Sequence, residues 1–314
     1  MLPSSLNPLG LKSVLGTEFL KKDQIQTILD RAQSLKSRME RSEPVEQTLK
    51  DKTVILLFFE PSTRTRASFE LAAKRLGGTT LNLSKQMSSA EKGETLVDTA
   101  RTIEAMAPDL LVLRHPSAGS AHVLDQKLKI PVVNAGDGFH EHPTQALLDL
   151  MTLLEFKKRL EGLRVLIVGD IAHSRVARSD IYALKTMGAR VSVCGPPTLL
   201  PPFAERMGVE VFHHLERAVS DQDVIIALRI QFERLGAGQI PSRGEYSKYY
   251  GINSTLLGRC REDVLVMHPG PVNRGLELSP EVADGSQSVI LNQVSNGVIL
   301  RMAILELLVG DKIR

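Results

Sequence analysis

The apolar run Val54–Phe59 passes without a break into Glu60-Pro61-Ser62-Thr63-Arg64-Thr65-Arg66. The run reads as a buried strand. Phe69, Leu71, Ala72, Ala73 and Leu76 then recur at helical spacing until Gly77-Gly78 ends the pattern. A buried strand feeding directly into a helix is the building unit of α/β sheets. The junction between them is unusual. A helix N-terminus carries partial positive charge and N–H groups without intrahelical acceptors, so acidic residues belong there. Here Arg64 and Arg66 stand among the hydroxyls of Ser62, Thr63 and Thr65. Arginine fits if an anion, most simply a phosphate, sits at the helix start and is held by N–H groups, hydroxyls and guanidinium forks together. The plainer reading is hydroxyl capping with exposed arginines nearby.

Further apolar runs follow at Leu110–Leu113 and Pro131–Asn134, then at Arg164–Val168, Arg190–Cys194, Val209–Phe212, Asp223–Leu228 and Val264–Met267. Helical patterns separate most of them, which predicts parallel sheets with crossover helices. Leu15–Met39 is helical in pattern. So is His142–Lys158, where Pro143 suits a first turn and Leu147, Leu150, Met151 and Leu154 form an apolar stripe. At 314 residues the chain should form about two domains. The expected fold class is therefore α/β, with two domains that are each a parallel sheet flanked by helices. The first is expected over residues 1–150 and the second over 151–293, with the terminal helix, 294–314, packing back on the first.

Composition narrows the function classes. Net charge is only +3, aromatics are 4% and tryptophan is absent, so neither a basic surface nor a base-stacking platform for nucleic acid is expected. Cys194 and Cys260 form no CxxC pair, which argues against a disulfide framework and a thiolate zinc site. No charged N-terminal stretch leads into an apolar core, and no apolar run reaches the ~18 residues of a membrane span. A cytoplasmic protein without a membrane segment is the expectation. Val168-Gly169-Asp170-Ile171-Ala172-His173 lacks the GxGxxG of a dinucleotide turn, and the Ser62 loop lacks GxxxxGK[ST].

Four more clusters carry chemistry. Ser88-Ser89-Ala90-Glu91-Lys92-Gly93-Glu94 reads as a lid with a lysine, or as a plain solvated loop. Arg114-His115-Pro116 follows an apolar run, at the carboxyl end of a strand where open parallel sheets bind ligands. Asn134-Ala135-Gly136-Asp137-Gly138 leads to His142-Pro143-Thr144-Gln145, which places a histidine and a glutamine on one face of a helix start. Arg229-Ile230-Gln231, with Arg234 beyond, suits carboxylate recognition. Taken singly, each admits a structural role: a turn arginine, a packing histidine, a charged loop.

In this order, together with Arg175 and His268-Pro269-Gly270-Pro271, the clusters resemble the carbamoyltransferase family, on its aspartate-specific branch, over almost the whole chain. The resemblance implies transfer of the carbamoyl group of carbamoyl phosphate to L-aspartate in pyrimidine synthesis. It assigns phosphate binding to Ser62, Thr63, Arg64, Thr65 and Arg114. Thr65, Arg114 and His142 would point at the carbonyl oxygen, Gln145 at the carbamoyl NH2, and backbone carbonyls near Gly270 and Pro271 would complete the pocket. Ser88 and Lys92 would reach in from a neighbouring subunit, giving a homotrimer with shared sites. Lys92, Arg175, Arg229 and Gln231 would grip the aspartate carboxylates, and Glu60 would link to Arg175 and Arg234 on domain closure. No metal or cofactor is implied, because the nucleophile is the substrate's amine and the leaving group is phosphate. The resemblance leaves room for a regulatory chain or a dihydroorotase as a further partner. Transfer to ornithine or another amine is the alternative, since the phosphate half is shared with ornithine enzymes. Those enzymes resemble one another in a His-Cys-Leu-Pro segment and lack the lid lysine, whereas this chain has His268-Pro269-Gly270-Pro271 and Lys92. A non-catalytic phosphate-binding protein would explain the Ser62 loop but not Arg175, Arg229 and Gln231.

Overall fold

A computed structural model of the chain describes residues 7–84, 94–232 and 242–310. The chain divides into two compact units, residues 1–151 with 295–314, and residues 152–294.

The first unit is built on a four-stranded sheet of β1 (Thr53–Phe58), β2 (Thr79–Ser84), β3 (Leu110–His115) and β4 (Val132–Asp137). All neighbours are parallel, in the order β2-β1-β3-β4. The helices α1 (Lys22–Glu40), α2 (Thr63–Arg75), α3 (Leu96–Glu104) and α4 (Ser120–Lys127) belong to this unit, and the sheet runs out into α5 (Pro143–Lys157). Ile55, Leu57, Leu111, Leu113 and Val132 bury one sheet face against Ala100, Ile103, Ala121 and Leu124 of α3 and α4. The second unit carries a five-stranded parallel sheet in the order β7-β6-β5-β8-β9. Its strands are β5 (Arg164–Val168), β6 (Arg190–Cys194), β7 (Glu210–Phe212), β8 (Val224–Ala227) and β9 (Leu265–Met267). Its helices are α6 (Arg175–Thr186), α7 (Leu215–Ala218), α8 (Arg243–Tyr250), α9 (Ser254–Leu257) and α10 (Pro280–Ala283).

The last helix, α11 (Ile290–Val309), returns to the first unit and packs along α1. There Arg31 meets Glu306 in a two-pronged ion pair at 2.6 and 2.9 Å, and Lys36 Nζ donates to Asn296 Oδ1 at 3.0 Å. This is the two-domain α/β fold, with a returning terminal helix, that the alternation of patterns predicts.

Two local expectations need correction. The helical pattern over Leu15–Met39 becomes a helix only from Lys22. Before that, Val14 pairs with Val133 in an isolated β-bridge, and Glu141 binds Thr17 N–H at 2.6 Å, Thr17 Oγ1 at 2.8 Å and Glu18 N–H at 3.1 Å. A distant carboxylate thus takes the backbone donors of Thr17 and Glu18, where the chain makes a turn closed by Leu20 N–H on Thr17 O at 3.3 Å, and the helix begins only beyond it. Thr79–Ser84 is an edge strand that the apolar runs do not reveal. Leu81 is 45% exposed, and β2 is defined by its backbone register with β1 rather than by burial.

Both sheets have a point where the strand order reverses, and open α/β sheets bind ligands at the carboxyl ends of the strands there. In the first unit the point lies between β1 and β3. In the second it lies between β5 and β8.

Candidate functional site

The first switch point gathers the Ser62 and Arg114 loops. Phe58 is in register with Arg114, and Phe59 N–H donates to Arg114 O at 2.9 Å, so the two strand ends are fixed to each other. Helix α2 opens directly above. Its first turn holds no acidic residue, and Ser62 makes no side-chain cap bond. By contrast, Thr95, Ser174 and Ser242 cap α3, α6 and α8 by accepting from a backbone N–H in the first turn. Ser62 and Thr65 are half-buried, while Thr63 and Arg64 are exposed. An uncapped, acid-free helix start flanked by arginine suits an anion.

Arg114 is largely buried and held in place. Its Nη1 donates to Ala135 O at 3.0 Å and its Nε stands 3.5 Å from Glu60 Oε2. Glu60 thus balances the guanidinium within the first unit, a contact the sequence does not announce. The neighbouring His115 packs edge-on against Phe59 at 5.0 Å between ring centroids and accepts from Ser117 N–H through Nδ1. Burial holds its pKa below the usual histidine value.

Asp137, fully buried at the end of β4, ties the surrounding loops together. Its Oδ1 accepts from Asn134 Nδ2 at 2.8 Å and Glu141 N–H at 3.0 Å. Its Oδ2 accepts from Gly119 N–H at 2.6 Å and meets His140 Nδ1 at 3.0 Å. Gly138 makes this junction sterically feasible. Its φ is +49°, and a Cβ there would lie 2.7 Å from Ala118 N. The loop delivers His142 and Gln145 to the start of α5, both nearly buried. Gln145 Nε2 donates to the Asp149 carboxylate, at 3.1 Å from Oδ1 and 3.3 Å from Oδ2.

The second switch point carries Arg175, Arg229 and Gln231. Leu228 N–H donates to Val168 O at 2.8 Å, so the ends of β5 and β8 are also fixed to each other. Gly169 permits their approach: its φ is +132°, and a Cβ would meet Leu228 Cβ at 3.1 Å. Arg175 is the first residue of α6 and is 5% exposed. Arg229 and Gln231 are half-buried on the loop after β8. That loop is braced by Glu277, whose Oε1 accepts from Ile230 N–H at 2.8 Å and Asn273 Nδ2 at 2.6 Å. Its Oε2 accepts from Asn273 N–H at 2.8 Å. Burial raises the Glu277 pKa above the ordinary carboxylate value, and these hydrogen bonds oppose the rise. One carboxylate therefore joins the Arg229–Gln231 loop to the segment after Gly270 and Pro271. Gly270 N–H donates to His268 Nδ1 at 2.7 Å, and His268 N–H donates to Gln293 Oε1 at 2.9 Å, which fixes that turn.

Ser88, Lys92 and Arg234 lie outside the described residues. The remaining predicted residues fall at the two switch points or on the loops beside them.

Residues 12–155 match the carbamoyl-P binding domain, and residues 161–308 the Asp/Orn binding domain, of aspartate/ornithine carbamoyltransferases. The chain belongs to the carbamoyltransferase family. An aspartate carbamoyltransferase catalytic subunit of Syntrophobacter fumaroxidans is 54% identical over 305 residues, 97% of this chain and 100% of that one. Among solved structures, an ornithine carbamoyltransferase from Pyrococcus furiosus superposes with a TM-score of 0.85 at 31% identity, covering 95% of this chain and 97% of that one. Aspartate transcarbamoylase from Trypanosoma cruzi, in complex with carbamoyl phosphate and aspartate, superposes with a TM-score of 0.84 at 30% identity, covering 94% of this chain and 95% of that one. Overall shape therefore does not separate the aspartate from the ornithine branch of the carbamoyltransferases. The separation has to come from the residues that meet the second substrate.

Sequence spacing shows no metal-ligand set in this carbamoyltransferase, but among the described residues folding brings two groups within ligand reach: His122, Asp137 and His140, and Glu18, His140 and Glu141. Asp137 and Glu141 already accept several backbone and side-chain donors each, so these carboxylates serve as loop anchors. Asp137, Asp149 and Glu277 are the supporting residues the sequence reading missed. Only Asp149 leaves a signal, four positions after Gln145 on the same helix face.

Proposed function

We infer that this chain transfers the carbamoyl group of carbamoyl phosphate to the amino group of L-aspartate, giving N-carbamoyl-L-aspartate and phosphate, an early step of pyrimidine synthesis. The observation that carries the reading is the placement of Arg175 and Arg229 after the adjacent strands β5 and β8, in a chain 54% identical to an aspartate carbamoyltransferase catalytic subunit. Two arginines suit a dicarboxylate and would repel the cationic side chain of ornithine.

In this proposal Ser62, Thr63, Arg64, Thr65 and Arg114 hold the phosphate at the start of α2. The amine lone pair attacks the carbonyl carbon and a C–N bond forms. Charge collects on the carbonyl oxygen, where Thr65, Arg114 and His142 stabilise it. The C–O bond to phosphate then breaks, the phosphate departs with the electron pair, and it takes up the proton that the attacking nitrogen gives up. Gln145 and the backbone carbonyls near Gly270 and Pro271 receive the carbamoyl NH2. Arg175, Arg229, Gln231 and Lys92 bind the aspartate carboxylates. The reaction calls for no protein nucleophile, so rate enhancement comes from placing two anions together and from preorganised donors. A cytoplasmic location belongs to the same proposal.

The test is ureido-product formation from carbamoyl phosphate with aspartate and ornithine offered separately. Turnover with aspartate alone is expected. Turnover with ornithine alone would keep the phosphate half and overturn the roles of Arg175, Arg229 and Gln231.

The catalytic unit is proposed to be a homotrimer with shared sites, in which Ser88 and Lys92 act on a neighbour's substrate. Inactive Lys92→Ala and inactive Arg64→Ala chains, mixed and allowed to exchange subunits, should regain activity. Proven exchange without recovery would rule out sharing.

A further inference from the structure

Gln145 and Asp149 are both nearly buried, one helical turn apart on α5. A carboxylate only accepts hydrogen bonds, so the face Gln145 turns towards Asp149 must be its NH2. Nε2 stands 3.1 and 3.3 Å from the two carboxylate oxygens. The opposite face of the amide is then an oxygen, an acceptor. A carbamoyl group presents an NH2, a donor. The polarity of the pair is set by Asp149, not by Gln145, whose amide alone could turn either way.

Asp149 needs a counter-charge to stay an acceptor-only group in this position. Arg301 of α11 supplies it. The guanidinium is 4% exposed and is fixed on three sides. Nη1 donates to Gly297 O at 2.9 Å, Nη2 to Thr144 Oγ1 at 3.3 Å, and the group lies 5.1 Å from the centroid of the Phe69 ring. Burial lowers the Arg301 pKa to about 10, and the negative charge of Asp149 works against that lowering. Thr144 precedes Gln145, and Phe69 belongs to α2, the helix whose start carries Ser62, Arg64 and Thr65. Arg301 therefore braces both helices that bear the proposed carbamoyl phosphate contacts.

We propose that Asp149 is a positioning residue that makes the carbamoyl subsite selective for an NH2 group, by holding Gln145 with its carbonyl oxygen towards the substrate while Arg301 of the last helix balances its charge. The inference rests on the reading of Gln145 as the carbamoyl contact given above.

The experiment compares three ligands of the phosphate subsite: carbamoyl phosphate, acetyl phosphate, which has a methyl in place of the NH2, and inorganic phosphate. In Asp149→Asn the side chain can donate as well as accept, so Gln145 can turn its NH2 towards the substrate. Carbamoyl phosphate should then bind about tenfold or more weakly, from a donor facing a donor. Acetyl phosphate and inorganic phosphate should bind as to the wild type. The double variant Asp149→Asn/Arg301→Met removes both buried charges at once and avoids a lone guanidinium, so it reads the same ratio where the single variant folds poorly. Equal weakening of all three ligands would make Asp149 a structural support only and overturn the proposal. An unchanged carbamoyl-to-acetyl ratio would also overturn it. Gln145→Ala separates the two levels of the argument. If that variant keeps the wild-type ratio, the role of Gln145 itself is wrong; if it loses the ratio while Asp149→Asn keeps it, only the inference about Asp149 fails.

Discussion

Arg114→Ala should lower kcat by about a thousandfold or more in a chain that still folds. A preorganised donor at a developing oxyanion contributes on the order of 3 kcal/mol. The arginine is the proposed contact of both phosphate and carbonyl oxygen, so more than one interaction is lost. A second effect adds to the first. Glu60 lies 3.5 Å from the Arg114 guanidinium and its side chain is only 17% exposed. Without the arginine, a poorly screened carboxylate would face a dianionic substrate. The folded state loses the bond to Ala135 O, roughly 1 kcal/mol, and the ion pair with Glu60. Glu60→Gln in the same chain should therefore recover part of the lost activity. Steady-state kinetics on the single and double variants checks this. A kcat within tenfold of wild type for Arg114→Ala would remove Arg114 from the chemistry.

Arg229→Ala should raise the KM for aspartate by about a hundredfold or more while leaving the affinity for carbamoyl phosphate intact. A charge-assisted hydrogen bond contributes about 1.5–3 kcal/mol, and a guanidinium can offer a carboxylate two of them. The loop should survive the change. Ile230 N–H is bound by Glu277, and Asn273 Nδ2 donates to Ile230 O at 3.2 Å, so the backbone is held from its neighbours. Equilibrium binding of carbamoyl phosphate, set beside kinetics with varied aspartate, separates the two halves. Loss of carbamoyl phosphate binding, or an unchanged KM for aspartate, would place Arg229 elsewhere in the chemistry.

Much of this was legible in the chain, for identifiable reasons. The strand over Val54–Phe58 was legible because nothing in it could face water. The terminal helix was legible from its apolar length, and its return to α1 is now seen in the Arg31–Glu306 pair. Apart from Asp149, the supporting residues were not legible. Glu277 braces Ile230 from 47 positions away, and Glu141 holds the turn at Thr17 from 124 positions away. Such contacts join one side chain to a distant backbone N–H and leave no periodicity. The edge strand β2 was obscure for a related reason: it is defined by backbone pairing, and Leu81 stays largely exposed.

The chain enters the second unit within α5 and comes back within α11. On a ribosome, Asp149 emerges long before Arg301, with the whole second unit synthesised in between. Until α11 is out, the first unit lacks the Arg301 guanidinium, which feels the charge of Asp149, and Glu306, the partner of Arg31. The nascent first half is thus an unfinished fold, and the residues of α11, made after the whole second unit, are the ones that complete it. A chain that loses those residues to premature termination should forfeit the phosphate half, although every proposed phosphate ligand is still present.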